Sequence, residues 1–276
     1  MSRVAAAASG SATGSVIGVK VRRQSGGGEV PFLTLAMDES GNWNPTDPSI
    51  HNDGASFVIR QTKQWEPIAS AACAGAIATC PDCVFIDSRA HIGWYCSIAA
   101  QCGARDVCLV EDNSVYLNIA SKNVELGGAS TVHRFSTVSD AVAFADTRPC
   151  ILRLHGLHSD KSVLSFVRIS SFTSLFAAII DMHPGDFEDS IRAHDFLFSV
   201  LSVFHVFSIG TPEQSSVCQS LEDNIRIVHE HNLREFISTW KSSGQTLVFV
   251  RKNESASAII TEIASRIDSA HRRAHI

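Results

Sequence analysis

The chain has 276 residues, of which 45% are hydrophobic and 18% charged, and its formal net charge is -5 at pH 7. This length fits one large domain or one domain with extensions, and the apolar content excludes an intrinsically disordered chain. The acidic balance gives no clear footprint for nucleic acid, and because no run of about 18 apolar residues occurs, the sequence predicts no transmembrane helix.

The first 28 residues are rich in alanine, serine and glycine and contain basic side chains but no acid. The basic residues are Arg3, Lys20, Arg22 and Arg23. This composition is typical of a mitochondrial transit segment and equally typical of a disordered leader. We therefore predict that residues 1–28 are a flexible or targeting leader outside the core. A targeting role predicts a mitochondrial location, and the alternative location is cytoplasmic.

Two short strands are expected next, VPFLTLAM (30–37) and ASFVIRQ (55–61), followed by a helix over PIASAACAGAIAT (67–79). From residue 84 onward, predicted strands and helices alternate. The strands are expected at 84–87, 107–111, 131–135, 150–156, 174–184, 204–210 and 246–252, and the helices at 92–102, 114–126, 138–145, from 159, between 184 and 204, and across 221–240. Because helices between successive strands form βαβ crossovers, this order predicts a mainly parallel sheet covered on both faces, with the last two strands supplying an antiparallel edge.

The C-terminal segment has an amphipathic pattern. In ASAIITEIASRIDSAHRRAH, the residues Ile259, Ile260, Ile263 and Ile267 fall on one helical face. The predicted organisation is therefore a leader over 1–28, a domain over 29–252 and an amphipathic helix over 253–276.

Eight cysteines are present, and six of them lie between Cys73 and Cys108. Their positions on expected helices and strands favour reduced thiols over a disulfide framework. Cys80 and Cys83, in CPDC, have the spacing of half a zinc site. A closed zinc site needs four ligands and no second pair matches, so we interpret these cysteines as small apolar residues and predict no metal site.

The stretch VFIDSRAHIGWYCSIAA (84–100) combines a strand, a tight turn and a helix. With the following segments, it resembles the first cofactor-binding unit of the FkbM family of SAM-dependent methyltransferases, which runs D-x-G-A-N-x-G-[WY], helix, strand and E-P-N. WEP (65–67) is similar to a short motif ahead of the first strand. ILRLHGLHSDKSVL (151–164) overlays without gaps on K-I-D-V-E-G-x-E and the following helix start, and AAIIDMHP (177–184) resembles I-x-E-x-H-P. The ordered resemblance covers about residues 60–252 and implies a Rossmann-like, seven-stranded, mostly parallel sheet of the SAM-dependent methyltransferase type.

Three residues keep the family's pattern. Asp87 ends the first strand, where the resemblance implies an acid beside the methionine end of the cofactor. Gly93 matches the glycine that allows the helix to pack close to its strand. Glu111 ends the second strand, where a carboxylate can accept both ribose hydroxyls. The alternative for both acids is that a parallel strand simply ends in an exposed carboxylate.

Two residues of the turn depart from the family's pattern. Arg89 stands where the family has glycine, and His91 stands where it has asparagine. A Cβ and a guanidinium at residue 89 are expected to fill space that the cofactor needs, because the glycine allows close approach of the backbone. The alternative is that Arg89 binds an anion at the N-terminus of the helix.

The fourth strand departs further. Where the family has D-V-E-G, the sequence is interpreted as having His155-Gly156-Leu157-His158, which removes both carboxylates. His155 is the candidate catalytic base, since its reference pKa suits proton transfer. The alternatives are a metal held by His155, His158 and His183, or plain structural histidines. His229 and His231 alternate on an expected helix and are not expected to share a ligand.

These features favour a methyltransferase-like protein that has a degenerate cofactor and catalytic site. We expect it to serve as a structural or interaction subunit with protein partners in a larger, mitochondrial assembly. The alternative is an active SAM-dependent O-methyltransferase on a small-molecule or sugar hydroxyl, with Asp87, Gly93 and Glu111 at the cofactor and His155 as the base. S-adenosylmethionine is the implied cofactor only if the protein is active.

Overall fold

A computed structural model describes residues 16–23, 28–35, 54–128, 131–155, 173–182, 187, 190–209, 225–240 and 245–274. Its centre is an eight-stranded sheet with the strand order β5-β4-β3-β6-β7-β10-β8-β9. These strands are β3 (Val84–Asp87), β4 (Asp106–Val110), β5 (Thr131–Phe135), β6 (Cys150–His155), β7 (Leu175–Met182), β8 (Phe204–Ile209), β9 (Ile225–Val228) and β10 (Gln245–Arg251). The first five strands of the order are parallel, whereas β10 lies antiparallel between β7 and β8.

Helices cover both faces of the sheet. They are α1 (Gly54–Thr62), α2 (Pro67–Thr79), α3 (Trp94–Gln101), α4 (Ser114–Gly127), α5 (Val138–Ala145), α6 (Ser190–Leu201), α7 (Leu233–Trp240) and α8 (Ala256–Ala274). One apolar core lies between the sheet and α2, α3, α4 and α8, and a second lies between the sheet and α5, α6 and α7. Since both faces are buried, the central strands are mostly apolar, and the buried charges of Asp87 and Arg153 are paired within the protein. The predicted α/β, Rossmann-like fold class is confirmed.

Two predicted elements have a different structure. Residues 55–61, expected as a strand, form α1, in which Ser56 and Ile59 are buried on one side at helical spacing. The helix expected across 221–240 is limited to a 3-10 turn at Glu230–Asn232 and to α7. Ile225–Val228 instead pair antiparallel with β8 and become an eighth strand. β-Branched residues favour this extended pairing.

The prediction that residues 1–28 form a leader outside the core is also wrong in part. Val16–Arg22 form β1, which pairs antiparallel with β2 (Glu29–Leu35). Val21 on β1 is buried and belongs to the first core. The side-chain amide of Asn123, on α4, bonds both the N–H and the C=O of Leu33 on β2 at 2.6 and 2.9 Å. The hairpin is therefore attached to the domain, and within residues 1–28 the strand Val16–Arg22 contributes to its core.

The predicted C-terminal amphipathic helix is present as α8, with Ile259, Ile263 and Ile267 buried. It packs on α2 at Gly75, where an added Cβ would lie 2.6 Å from Cγ1 of Ile263. A larger residue at Gly75 would separate the two helices, so α8 is a component of the core. None of the helices in the described part of the chain has the length and apolar character to span a membrane.

Candidate functional site

The candidate site is a pocket of about 400 Å³ at the carboxyl ends of β3, β4 and β6. Ligands of open α/β sheets bind at this edge, where connections leave in opposite directions from neighbouring strands. Here β3 has β4 on one side and β6 on the other. The lining residues are Ala55, Trp65, Glu66, Arg89, Ala90, His91, Ile92, Trp94, Tyr95, Glu111, Tyr116 and His155. The volume lies within the range of small-molecule sites, about 300–1,000 Å³.

The turn after β3 is attached to the neighbouring strands through its backbone. The N–H of Ser88 donates to the C=O of Arg153 on β6 at 3.0 Å, and the N–H of Ala90 donates to the C=O of Val110 on β4 at 3.1 Å. His91 has a φ of 49°, which is uncommon for a residue with a Cβ. These backbone hydrogen bonds to β4 and β6 therefore hold the turn in place, although it lacks the glycine that the resemblance implies at residue 89.

Gly93 lies at the N-terminus of α3 with a φ of 80°. An added Cβ would lie 2.6 Å from the Cα of Ala120 on α4. The glycine therefore permits close contact between the start of α3 and helix α4, whereas the family's pattern suggested contact with a strand. Gly93 is not one of the residues that line the pocket.

Asp87 is fully buried at the end of β3. Its Oδ1 lies 3.1 Å from Nε2 of His155 and accepts from the N–H of Arg89 at 3.4 Å. Its Oδ2 accepts from the thiol of Cys96 at 3.6 Å. Burial raises the pKa of this carboxyl, but the charge and hydrogen bond of His155 and the charge of Arg153 outweigh burial and hold the pKa below its usual value. Asp87 is thus an ionised carboxylate that is satisfied by the protein.

Glu111 follows β4 and connects two loops. Its Oε2 accepts from the N–H of His91 at 2.9 Å, and its Oε1 accepts from the N–H of Asn113 at 2.9 Å. Asn113 in turn caps α4, because its Oδ1 accepts from the N–H groups of Val115 and Tyr116. Both oxygens of the predicted ribose-binding acid therefore accept backbone N–H groups, one from His91 in the pocket wall and one from Asn113 before α4.

Arg89 and His91 line the pocket without closing it. Arg89 is exposed at the rim, and the ring of His91 packs on that of Tyr116 with 4.1 Å between centroids. Arg89 therefore does not close the pocket, and the expectation that it occupies space needed by the cofactor stays a prediction. The long side chain extends toward solvent, where its charge stays hydrated, and the cavity remains.

A buried network that the sequence analysis missed lies beside His155. Arg153, on β6, is fully buried, and its guanidinium lies 4.5 Å from the ring centroid of Tyr95. Its Nη2 donates to Oδ2 of Asp181 on β7 and lies 3.5 Å from Oε2 of Glu66, at the start of α2. The hydroxyl of Tyr95 donates to the same Glu66 oxygen. Asp181 also accepts from the hydroxyl of Thr246 at 2.9 Å.

The predicted match of the fourth strand to the family's motif needs one correction. In the gap-free overlay of 151–164, the glycine of D-V-E-G falls on Gly156, so its two acids fall on Arg153 and His155. The match of the acids to His155 and Leu157 is wrong by two residues. The residue that the resemblance aligns with the first acid is thus Arg153, a buried cation of opposite charge. A lone arginine inside the apolar run CILRLHG (150–156) was the available signal, because a buried strand accepts a charge only with partners.

His155 contacts both Asp87 and Tyr95 of the buried network. Its Nε2 is bonded to Asp87, and its ring lies 5.4 Å from that of Tyr95. A candidate donor set for a divalent cation is formed by Glu66, His155 and Asp181. Each of them offers one ligating atom, and these three atoms lie within 4.8 Å of one another. However, the guanidinium of Arg153 contacts both carboxylates and already supplies a positive charge there. His158 and His183, which were grouped with His155 as metal ligands, lie outside the described residues.

The arrangement of His229 and His231 also differs from the prediction. His229 precedes the 3-10 turn and His231 lies within it, so the pair is not on an α-helix. Their rings stack with 5.1 Å between centroids and an interplanar angle of 14°. The two histidines therefore face the same region, contrary to the expectation that they point apart.

No family model matches the sequence, and no curated protein matches it. Among solved structures, the chain is similar to an rRNA methylase from Streptococcus thermophilus, with 10% identity, a TM-score of 0.44, and coverage of 68% of this chain and 97% of the other. It is also similar to a putative rRNA methylase from Clostridium thermocellum, with 10% identity, a TM-score of 0.44 and coverage of 66% and 94%. The tRNA (m1A58) methyltransferase TrmI from Aquifex aeolicus has 15% identity, a TM-score of 0.40 and coverage of 88% and 98%.

Proposed function

We propose that this chain is a methyltransferase-like domain whose cofactor and catalytic site is degenerate, and that it serves as a structural or interaction subunit of a larger assembly. The family within the methyltransferase-like fold that we propose is the FkbM type. One α/β fold supports many functions, so the residues of the pocket and not the fold must indicate the function.

The observation that carries this proposal is that the carboxylates at this edge of the sheet are bonded to protein donors. Asp87 is bonded to His155 and Glu111 to two backbone amides. Glu66 and Asp181 share the guanidinium of Arg153. Each of these bonds would have to be broken or shared before the same oxygen could hold a ligand.

The residues present do not fit S-adenosylmethionine, which carries a positive sulfonium. The acid that the resemblance implies near the transferred methyl is replaced by Arg153, whose guanidinium lies 4.5 Å from the ring centroid of Tyr95, a residue of the pocket wall. Glu66 and Asp181 are paired with this guanidinium, so their negative charge is already compensated and is not available to attract the sulfonium. The mismatch is one of charge and hydrogen bonding and not of volume, since a pocket of about 400 Å³ remains.

An exposed apolar stripe on α6 supports the interaction role. Ile191 and Phe198 lie seven residues apart, which places them on one helical face, and they are 70% and 51% exposed. Two large apolar side chains aligned on one helix expose more apolar surface than a single scattered residue and favour a partner contact. A protein partner in a multi-subunit assembly would bury them.

The proposed mitochondrial setting depends on the basic, acid-free leader. Because β1 begins at Val16, removal of the whole segment 1–28 would delete a strand that contributes Val21 to the core. We therefore propose that any removable targeting segment lies before Val16. A cytoplasmic location is the alternative.

The second candidate is an active O-methyltransferase on a small-molecule or sugar hydroxyl, and the Asp87–His155 pair is the observation that favours it. A carboxylate bonded to one ring nitrogen of a histidine orients the ring and supports its action as a base. In this candidate, His155 takes the proton of the acceptor hydroxyl while Asp87 and Glu111 hold the cofactor. The charge of Arg153 is the feature that argues against it.

Calorimetric titration of the full chain with S-adenosylmethionine and with its demethylated product separates the two candidates. We expect no binding heat at millimolar ligand, which corresponds to a binding free energy weaker than about -4 kcal/mol. Micromolar binding of either compound would overturn the degenerate site and establish the active enzyme as the better candidate.

The interaction role has its own test. A tagged chain expressed in its own cells should elute in gel filtration well above the size of a 29.8 kDa monomer. The double substitution Ile191→Asp and Phe198→Asp should return it to the monomer position, whereas the control Ser199→Asp, also exposed on α6, should not. Elution of the wild-type chain as a monomer would contradict the role as a subunit.

A further inference from the structure

The turn that joins α2 to β3 brings two cysteines into contact. Cys80 follows the last residue of α2, and Cys83 precedes the first residue of β3. Between them, Asp82 has a φ of 66°, and the N–H of Cys83 donates to the C=O of Cys80 at 3.3 Å. This closure of the four-residue turn leaves the two thiols as hydrogen-bond partners. The geometry is that of a C-x-x-C pair next to a βαβ unit.

The two thiols are not equivalent. Cys80 keeps 8% of its surface exposed, whereas Cys83 is completely buried. The hydrogen bond from Cys83 lowers the pKa of the Cys80 thiol, against burial and the nearby acids Glu254 and Asp82, which raise it. The same hydrogen bond and burial raise the pKa of Cys83. Cys80 is therefore the sulfur that is both reachable and more readily ionised, and the thiolate is the reactive form.

Zinc binding does not account for the pair. A structural zinc site needs four ligands, and Cys80 and Cys83 supply two. Within the described ranges, the one group of three or more metal-type ligands is formed by Glu66, His155 and Asp181. That group lies at the carboxyl edge of the sheet, whereas Cys83 lies at the amino end of β3. The cysteine pair therefore lies apart from the pocket.

We propose that Cys80 and Cys83 form a redox-active dithiol, which closes to a disulfide by exchange with a small disulfide of the glutathione class. The Cys80 thiolate attacks one sulfur of the small disulfide, forms a mixed disulfide and releases one small thiolate. Cys83 then loses its proton to water and attacks the Cys80 sulfur, which releases the second small thiolate. The protein loses two electrons and two protons, and the small disulfide is reduced to two thiols.

The direct test is performed on the reduced, folded full chain. The protein is equilibrated with glutathione at ratios from fully reduced to fully oxidised, quenched in acid, unfolded, alkylated and analysed by peptide mass mapping. We expect two of the eight cysteines to become protected from alkylation, and the peptide that contains Cys80 and Cys83 to carry an internal bond between them. Retention of all eight alkylatable thiols at every ratio, or a bond that includes any other cysteine, would overturn the proposal.

Single substitutions test the order of attack. Cys83→Ser should leave glutathione attached to Cys80, because the resolving thiol is missing. Cys80→Ser should take up no glutathione at Cys83, because Cys83 is completely buried. The control is Cys102→Ser, which removes a half-buried cysteine at the end of α3 and should leave the bond unchanged. Glutathione on Cys83 in the Cys80→Ser protein would contradict the assigned roles. Peptide mass mapping of the wild-type protein identifies which cysteines form the disulfide even if a variant fails to fold.

Discussion

The carboxyl edge of the sheet holds its charged groups differently in its two halves, one at β3 and β4 and the other at β6 and β7. The half formed by β3 and β4 retains acids at both strand ends, and each acid is bonded inside the protein. The half formed by β6 and β7 instead contains a buried cation, Arg153, which is paired with Asp181 and Glu66. An acid at a strand end therefore does not by itself indicate a cofactor site, because its hydrogen-bond partners decide what it does.

The largest expected effect comes from removing the cation of the β6–β7 half. Arg153→Met leaves the carboxylates of Asp181 and Glu66 without the guanidinium that joins them. Removing one partner of a buried ion pair costs about 3–5 kcal/mol. Because Glu66 is partly exposed and Asp181 keeps its bond to Thr246, we expect the lower end of that range. Urea unfolding measures the loss.

The control for this experiment is Lys122→Met, which breaks an exposed pair with Glu125 on α4. Exposed pairs contribute about 0–1 kcal/mol, so this change should be close to neutral. If Arg153→Met were no more destabilising than Lys122→Met, the network would not stabilise the fold, and a role for Arg153 toward a ligand would become the better explanation.

A smaller effect is expected in the β3–β4 half. Glu111→Ala removes the acceptor of two backbone N–H groups, those of His91 and Asn113. Loss of such partners costs about 1–3 kcal/mol, which corresponds to a fall of about 2–12 °C in the melting temperature of a chain of this size. The matched change Glu125→Ala, at an exposed glutamate on α4, should shift it by far less. An unchanged melting temperature in Glu111→Ala would indicate that Glu111 serves ligand binding and does not stabilise the fold.

The sequence predicted the parts of this molecule that depend on local pattern. The apolar runs at 84–87 and 107–111 and the helix at 138–145 follow from periodicity and turn residues, and the structure contains them. The run at 55–61 was misassigned because a short apolar segment suits a helix and a strand equally well. The network could not be predicted, because Arg153 lies 87 residues from Glu66 and 58 from Tyr95. Contacts of that kind leave no periodic signal.

The pH dependence of stability sharpens the contrast between a buried and an exposed acid. Burial raises the pKa of Asp87, and His155 and Arg153 lower it by more, so its folded-state pKa lies below the unfolded value of about 3.9. The ionised form therefore contributes stability above the unfolded pKa, and this contribution is lost as the pH falls through the folded pKa. Asp87→Asn should show a shallower fall of the unfolding free energy below about pH 4.

The matched variant for this series is Asp195→Asn, which changes an exposed acid 3.6 Å from His194. Its unfolding free energy should follow the wild-type pH dependence, because an exposed pair is screened by solvent. Equal acid slopes in the wild type and Asp87→Asn, measured by urea unfolding, would show that the Asp87–His155 pair does not stabilise the folded state.

The smallest effect is expected from restoring the family's residues in the turn. The double substitution Arg89→Gly and His91→Asn gives the turn the family's glycine and asparagine, and an occluded site would then bind S-adenosylmethionine. Arg89 is exposed, however, and the pocket is already open. The oxygens of Asp87 and Glu111 keep their protein donors and Arg153 keeps its charge, so the double variant should bind no better than the wild type. Because binding to the folded state raises its stability, the ligand-dependent melting temperature reports the result, and it should stay constant at millimolar cofactor. A clear rise in the double variant alone would show that the turn is what excludes the cofactor and that the internal bonds of the acids yield to a ligand.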